Sequence, residues 1–407
     1  RDVAVTGVQT CALPISDPRA DKRFLVRGRR TISLPASPPA FFTSPLFSAK
    51  AKLQLLVEPF IRRAPADREE SVAEFVLRRL GREFLDYAIN PLVSGVYAGD
   101  PARLSVPHAF PKLHALEQKY GSLIRGQILG ARERKRRGEM SKQNAPKLSF
   151  DAGLQVLTDT LGARLGSQVM LNAPVRQIQK TPKGWTLTAQ VQGSEVRRQF
   201  AAVLFAGQAY RLPEIQMLPA GPVNTAPFSE IHYPPVASLV LGFKREDVAH
   251  PIDGFGMLIP KVEGFNILGT IFSSSLFPNR APAGHVTLTS YVGGVRAPEL
   301  ASREISELVE LTLQDLRVLL GVTGRPTFIH HRFYPKAIPQ YEVGYGRFKN
   351  LMNQMETQWP GFFLAGHFRD GISLGDSLVS GHQVAERIAG YLTQSTAQSA
   401  AAAPLTA

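Results

Sequence analysis

The chain has 407 residues, 44% of them apolar and 20% charged, a composition that suits a packed globular protein of two or more lobes and excludes a disordered or fibrous one. The formal net charge of +14 favours an acidic partner, with nucleic acid, anionic lipid and a polycarboxylate substrate all open on charge alone. A single cysteine, Cys11, excludes disulfides within the chain and cysteine-based metal clusters. No run of about 18 apolar residues and no signal-peptide order occur, so a reducing, cytoplasmic-side location is expected.

Val5 to Ile15, VTGVQTCALPI, has neither helical nor strand periodicity and matches a reading frame through a common sequencing adapter. Residues 1–15 are therefore expected to be foreign, with the authentic chain starting near Ser16 and its gene continuing upstream. From Thr31 to Leu46 the text TISLPASPPAFFTSPL is proline-rich and apolar, and Phe47, Lys50 and Lys52 follow. An exposed loop of this kind suits an interface. Asp67 precedes Glu70 by three, a capping-box spacing, and Val72, Phe75, Val76 and Leu80 mark the buried face of a helix running to Gly81. One further helix is expected after Pro111, carrying Leu113, Leu116, Tyr120, Leu123, Ile124 and Ile128 and ending in ARERKRRGEMSK. The basic run Arg132, Arg134, Lys135, Arg136 and Arg137 reads either as a solvated helix end or as a patch for anionic headgroups. No aromatic residues interleave with it, so it does not suit nucleic acid.

After Asp151 a short helix with Leu154, Leu157 and Leu161 is expected, then period-two strands at Val169 and Leu171, Val175 to Ile178, Trp185 to Ala189 and Val203 to Phe205. VASLVLGF, FNILGTIF and HVTLTSYVGG continue as strands. A helix with Ile305, Leu308, Val309, Leu316 and Leu320 then stops at Gly321. WPGFFLAGH reads as a strand, GISLGDSLVSGHQVAERIAGYL as a turn leading into a helix, and residues 393–407 as a disordered tail.

The strand ending in Gly366, the glycines at 371 and 375, and Asp376 before a small-residue helix suit an anion or a flavin ring, or else form an ordinary turn capped by Asp376. The dinucleotide pattern G-x-G-x-x-G is absent: GFGMLI at Gly254 and GYGRFK at Gly344 lack the third glycine. His330 and His331 are adjacent and would face opposite sides of a strand, so no metal site is expected.

Taken together, RFLVRGRR, NPLVSGVYAGDPARLSV, FPKLHALE, GFGMLIP, AIPQYEVGY and PGFFLAGHFRDGISLGDSLVSG resemble the oxygen-dependent protoporphyrinogen oxidase family, in order and spacing from about Arg23 to Ile388. The resemblance implies an α/β flavoprotein with an incomplete Rossmann-type FAD domain, a mixed-sheet substrate domain and an α-helical membrane-docking domain. Residues 16–30 would be an edge of the substrate domain, 31–147 the helical domain, 148–208 and 339–392 parts of the FAD domain, and 209–338 the substrate domain. It implies oxidation of protoporphyrinogen IX to protoporphyrin IX by FAD, re-oxidised by dioxygen, on the cytoplasmic face of an anionic membrane surface. A ferrochelatase and a second copy of the chain are further possible partners.

By the same resemblance, Arg23 pairs with a substrate propionate, Leu92 and Gly95 line the pocket, Phe255 and Leu258 sandwich a pyrrole ring, and Tyr291 stands where the family commonly has methionine. Gly95, lacking a side chain, would let a backbone carbonyl approach the substrate. Val175 meets the adenine, and Gly366, Ile372, Leu374 and Asp376 belong to the closing flavin motif. The family's first strand, glycine loop and ribose-binding acid have no counterpart, so the chain as written is expected to hold FAD poorly and be inactive. Alternative readings are a coproporphyrinogen III oxidase, a flavin amine oxidase or carotenoid desaturase, and a non-catalytic membrane-surface module.

Overall fold

The computed structural model describes residue 17 and residues 20–65, 68–137, 147–218 and 224–401, without the side chains of 134–137 and 396–401. The adapter-like segment with Cys11, the position of Asp67, the end of the basic segment and residues 402–407 lie outside these residues. Two compact units form: Arg1–Gly166 with Pro234–Ala337, and Ser167–Tyr233 with Ile338–Ala407.

The first unit opens with β1 (Lys22–Arg27) and β2 (Arg30–Ser33), a hairpin turned at Gly28 and Arg29, whose φ of 58° and 61° suit a two-residue turn between twisted strands. Helices α1 (Pro38–Thr43), α2 (Ala49–Val57), α3 (Val72–Arg79), α4 (Asn90–Tyr97), α5 (Pro111–Tyr120), α6 (Leu123–Arg137) and α7 (Gln155–Leu165) follow. The second unit supplies β3 (Val175–Thr181), β4 (Gly184–Val191), β5 (Ser194–Phe200), β6 (Val203–Phe205) and β7 (Gln216–Leu218). The chain returns to the first unit for β8 (Val236–Lys244), β9 (Gly254–Leu258), β10 (Ile267–Ile271), β11 (His285–Gly293), α8 (Ile305–Leu320) and β12 (Phe328–Tyr334). It ends in the second with α9 (Gly346–Gln358), β13 (Phe362–Leu364) and α10 (Leu374–Ala401).

In the first unit seven strands in the order β12-β8-β11-β10-β9-β1-β2 make one mixed sheet, in which β1 and β9 run parallel. Alternation decides its faces: Ala237, Leu239, Leu241 and Phe243 of β8 and Val286, Leu288 and Val292 of β11 turn into one core. Helix α8 covers it with Leu308, Leu313, Leu316 and Leu320, and Gly321 ends the helix at φ 62°. Each such side chain contributes about 1.5–3 kcal/mol on leaving water. The opposite face is left for a ligand.

The helices depart from expectation in two places. Helix α3 buries Val72, Phe75 and Val76 as expected, but its capping box is Ser71 with Glu74, not Asp67 with Glu70. Glu70 is taken instead by Arg78. The single helix expected after Pro111 is two, α5 and α6, because Gly121 turns left-handed at φ 70° and Glu58 then accepts from the Leu123 and Ile124 N–H groups. Ile128, one of the apolar residues of the expected helix, is exposed.

Charge is buried among these helices. Arg79 is fully enclosed between Glu58, at 3.0 Å, and Glu117, while Arg78 reaches Glu117 at 2.9 Å. Burial pushes the Glu117 carboxyl up, but the Arg78 and Arg79 guanidinium groups outweigh it and hold the carboxyl below its ordinary value.

In the second unit β5-β4-β3-β7 form one sheet and β13 pairs parallel with β6 in another. Trp185 is buried against Trp359 and Phe362. Val169 and Leu171, expected in a strand, follow a short helical turn instead, and Leu171 stands exposed. The tail expected to be disordered from Thr393 continues α10 to Ala401. No helix among the described residues is long and apolar enough to cross a membrane.

Candidate active site

The free face of the seven-stranded sheet and helix α4 enclose a cavity of about 420 Å³, within the roughly 300–1,000 Å³ of small-molecule sites. Arg23, Leu92, Gly95, Phe255, Leu258 and Tyr291, scattered over most of the chain, all line it. Among the described residues that line it, only Arg23 is charged. Its guanidinium lies 5.9 Å from the Phe255 ring centroid, and no carboxylate among the described residues pairs with it.

Strand geometry explains how these side chains converge. Lys22 pairs with Gly254 and Arg23 with Gly256, so Phe255 is the extra residue of a bulge, a device that re-aims a side chain. Phe255 and Leu258, three apart on one strand, therefore both reach the cavity. Gly256 allows this at φ 148°, where a Cβ would overlap the Thr270 carbonyl oxygen.

Leu258 pairs with Gly269, and Gly269 with Tyr291. The three form one row across β9, β10 and β11, a trough with Leu258 on one side and Tyr291 on the other. Burial pushes the Tyr291 phenol above its ordinary value, so it remains a hydrogen-bond donor at neutral pH. At Gly95 the space a Cβ would need is occupied by Leu258 Cδ2, a steric reason for glycine that sequence reasoning did not find.

The residues expected around a flavin all lie in the second unit, one on a strand and four in the turn and helix after β13. Val175 opens β3, paired with Ala189. Gly366, Ile372, Leu374 and Asp376 follow β13 and lead into α10. Gly366 and Gly371 take φ of 116° and 125°, conformations that favour glycine. The cap of α10 is Ser373, whose hydroxyl accepts from the Asp376 N–H at 3.0 Å and donates to the Asp376 carboxylate at 2.7 Å. Asp376 itself sits in the first turn and is not the cap.

Two tyrosines brace this turn. The Tyr341 hydroxyl donates to the His367 carbonyl and accepts from the Gly371 N–H at 3.0 Å, and the Tyr345 hydroxyl donates to the Phe368 carbonyl at 2.6 Å. Arg369 is held by Glu356 at 2.6 Å and by the Leu364 carbonyl at 2.8 Å. The turn is fixed before any ligand arrives.

Sequence reasoning missed Ser94, Gly269, Thr270 and Ile271, which also line the cavity. Period two along FNILGTIF puts Gly269 and Ile271 on one face, which was the available signal. Tyr341 and Tyr345 lie inside the AIPQYEVGY motif that carries the resemblance, but sequence reasoning gave them no role of their own.

A family model described as flavin containing amine oxidoreductase matches residues 8–389. Protoporphyrinogen oxidase 2, chloroplastic/mitochondrial, of Arabidopsis thaliana is 36% identical over 91% of this chain and 78% of its own length. The chain belongs to the protoporphyrinogen oxidases, within the flavin containing amine oxidoreductases. Coproporphyrinogen III oxidase of Bacillus subtilis is 26% identical over 89% of this chain and 76% of its own length. A solved structure from Exiguobacterium sp. 255-15 that carries a protoporphyrinogen oxidase description shares the fold with a TM-score of 0.74, at 21% identity over 92% of this chain and 81% of that one.

As a member of the protoporphyrinogen oxidases, the chain is a flavin-dependent oxidoreductase with an amine-oxidase-like fold. Leu374, Leu378 and Val379 stand exposed beside the start of a long helix and two glycines at positive φ, a setting for a flat apolar ring with an electron-rich edge.

Proposed function

We propose that this chain oxidises protoporphyrinogen IX to protoporphyrin IX, with FAD as its flavin and dioxygen as the final acceptor. The observation that carries the reading is the cavity: apolar walls, a trough between Leu258 and Tyr291, and Arg23 as the one charged lining residue among the described residues. A substrate with two propionates matches a single cation better than coproporphyrinogen III, which carries four. The lower identity to a coproporphyrinogen III oxidase points the same way.

In this reading the first unit holds the porphyrinogen and the second holds the flavin. Bound flavin supplies the hydride-accepting chemistry in repeated rounds. Arg23 pairs with a propionate as a permanently charged, forked donor. Leu92 and Gly95 close the pocket above the sheet, while Phe255, Leu258 and Tyr291 grip a pyrrole ring through apolar contact. Gly366, Ile372, Leu374 and Asp376 hold the flavin ring at the start of α10, and Val175 meets the adenine.

The helices of the first unit dock on an anionic membrane surface at its cytoplasmic face. Leu53, Leu56, Val57 and Phe60 follow the spacing of a helical face and are 63%, 55%, 55% and 78% exposed, with the exposed Lys50, Arg62 and Arg63 beside them. An apolar stripe edged by cations suits a headgroup boundary.

The test is to load the protein with FAD, the step at which the weak FAD binding expected from the sequence would show, then to offer protoporphyrinogen IX or coproporphyrinogen III under air, in mild detergent, and follow porphyrin fluorescence with hydrogen peroxide. Faster conversion of protoporphyrinogen IX is expected; preference for coproporphyrinogen III would overturn the substrate assignment.

A further inference from the structure

We propose that Gly95 is a positioning residue: it seats Leu258, and through Leu258 it fixes the width of the trough that takes one pyrrole ring. The inference rests on reading the cavity as a porphyrinogen site. Gly95 lies inside helix α4 and has no positive φ, so backbone torsion does not call for glycine. Space does. A Cβ there would overlap Leu258 Cδ2, and the three nearest atoms it would meet all belong to Leu258.

The same methyl is approached from the sheet. A Cβ on Gly269 would come within 3.2 Å of Leu258 Cδ2. One methyl thus fills a notch between two glycines, one on a helix and one on a strand, and a Cβ at position 95 would have to displace it. Leu258 and Tyr291 stand two strands apart across Gly269, a separation of roughly 9.6 Å. A flat ring in van der Waals contact on both faces needs roughly 7–8 Å between the atoms that hold it. The two lengths are of the same order, so where the Leu258 side chain stands bears on how closely the ring is gripped.

Gly95→Ala, Leu258→Ala and the double variant, compared with the parent, test this by fluorescence titration with protoporphyrin IX. The stable product serves as the probe, so binding is read without turnover. Gly95→Ala is expected to weaken porphyrin binding about tenfold, as overpacking at a fixed wall does, with the kinetic change in KM rather than kcat. In the Leu258→Ala background, where the overlapping methyl is gone, the same substitution should change affinity by less than about twofold. Alanine suits a helix interior better than glycine, which offsets part of the cost of the overlap, and the melting temperature of each variant is measured so that lost folding is not read as lost binding. Equal weakening by Gly95→Ala in both backgrounds would overturn the proposal. Failure of the parent to bind porphyrin at all would overturn the functional reading instead, and this inference with it.

Gly269→Ala is not a clean alternative, because its Cβ would also lie 2.6 Å from the Met257 carbonyl oxygen and disturb the sheet.

Discussion

The Arg23 guanidinium stands over the Phe255 ring, 5.9 Å from its centroid, and both side chains line the same cavity. The bulge in the β1–β9 pairing brings the Phe255 ring beside the cation. Arg23→Ala is expected to raise KM for protoporphyrinogen IX about tenfold, the scale of one lost charge-assisted hydrogen bond. Arg23 is exposed, so the effect in the parent should shrink with added salt. A KM that ignores both the substitution and ionic strength would remove Arg23 from the site.

Tyr291 forms the far wall of the trough. Tyr291→Ala should weaken protoporphyrin IX binding by about 1–1.5 kcal/mol through the lost aromatic contact, whereas Tyr291→Phe should stay close to the parent. If the phenylalanine variant loses as much as the alanine one, the phenol oxygen and not the ring is what the substrate reads.

Tyr341→Phe deletes the hydroxyl shared between the His367 carbonyl and the Gly371 N–H. Leaving the N–H without its acceptor costs about 1–3 kcal/mol, and the expected result is weaker retention of flavin on dialysis with porphyrin binding intact. Unchanged flavin retention would show that the turn does not need this brace.

Glu117 governs stability and not chemistry. Its carboxyl is pushed up by burial but held below its ordinary value by Arg78 and Arg79, so its contribution is present above the unfolded-state value and is lost as pH falls through the lower folded-state value. Glu117→Gln leaves buried Arg79 with Glu58 as its one carboxylate among the described residues, beside the Ile61 carbonyl, and should cost about 3 kcal/mol in urea unfolding at neutral pH. The penalty should vanish towards acid pH, where the parent's own Glu117 is protonated; a penalty independent of pH would contradict the assigned shift.

Phe60→Asp places a charge on the exposed stripe of Leu53, Leu56 and Val57. Co-sedimentation with anionic vesicles should fall several-fold, with the melting temperature unchanged because Phe60 is 78% exposed. Binding that persists would place the membrane contact elsewhere.

Much of this was legible in the sequence where one face of an element is buried. Period two in VASLVLGF and HVTLTSYVGG located strands whose alternate residues do form the core, and Gly321 marked the end of α8. Pairing was not legible: nothing local links Lys22–Arg27 to Gly254–Leu258, yet that parallel pairing and its bulge aim Phe255 into the cavity. Helix ends were harder, since Ser71 with Glu74 competes with Asp67 with Glu70 by the same rule and only packing against the rest of the unit chooses. The six substrate-side residues came from resemblance, and the structure gathers them round one cavity. The reason for glycine at 95 was out of reach, because it depends on a leucine far along the chain.

The most direct measurement is anaerobic: mix the flavin-loaded protein with protoporphyrinogen IX and follow flavin absorbance together with porphyrin fluorescence. The account expects the flavin to bleach as the substrate is oxidised, and colour to return with porphyrin formation when dioxygen is admitted. A flavin that stays oxidised in the presence of protoporphyrinogen IX, while coproporphyrinogen III bleaches it or neither does, would contradict the central claim.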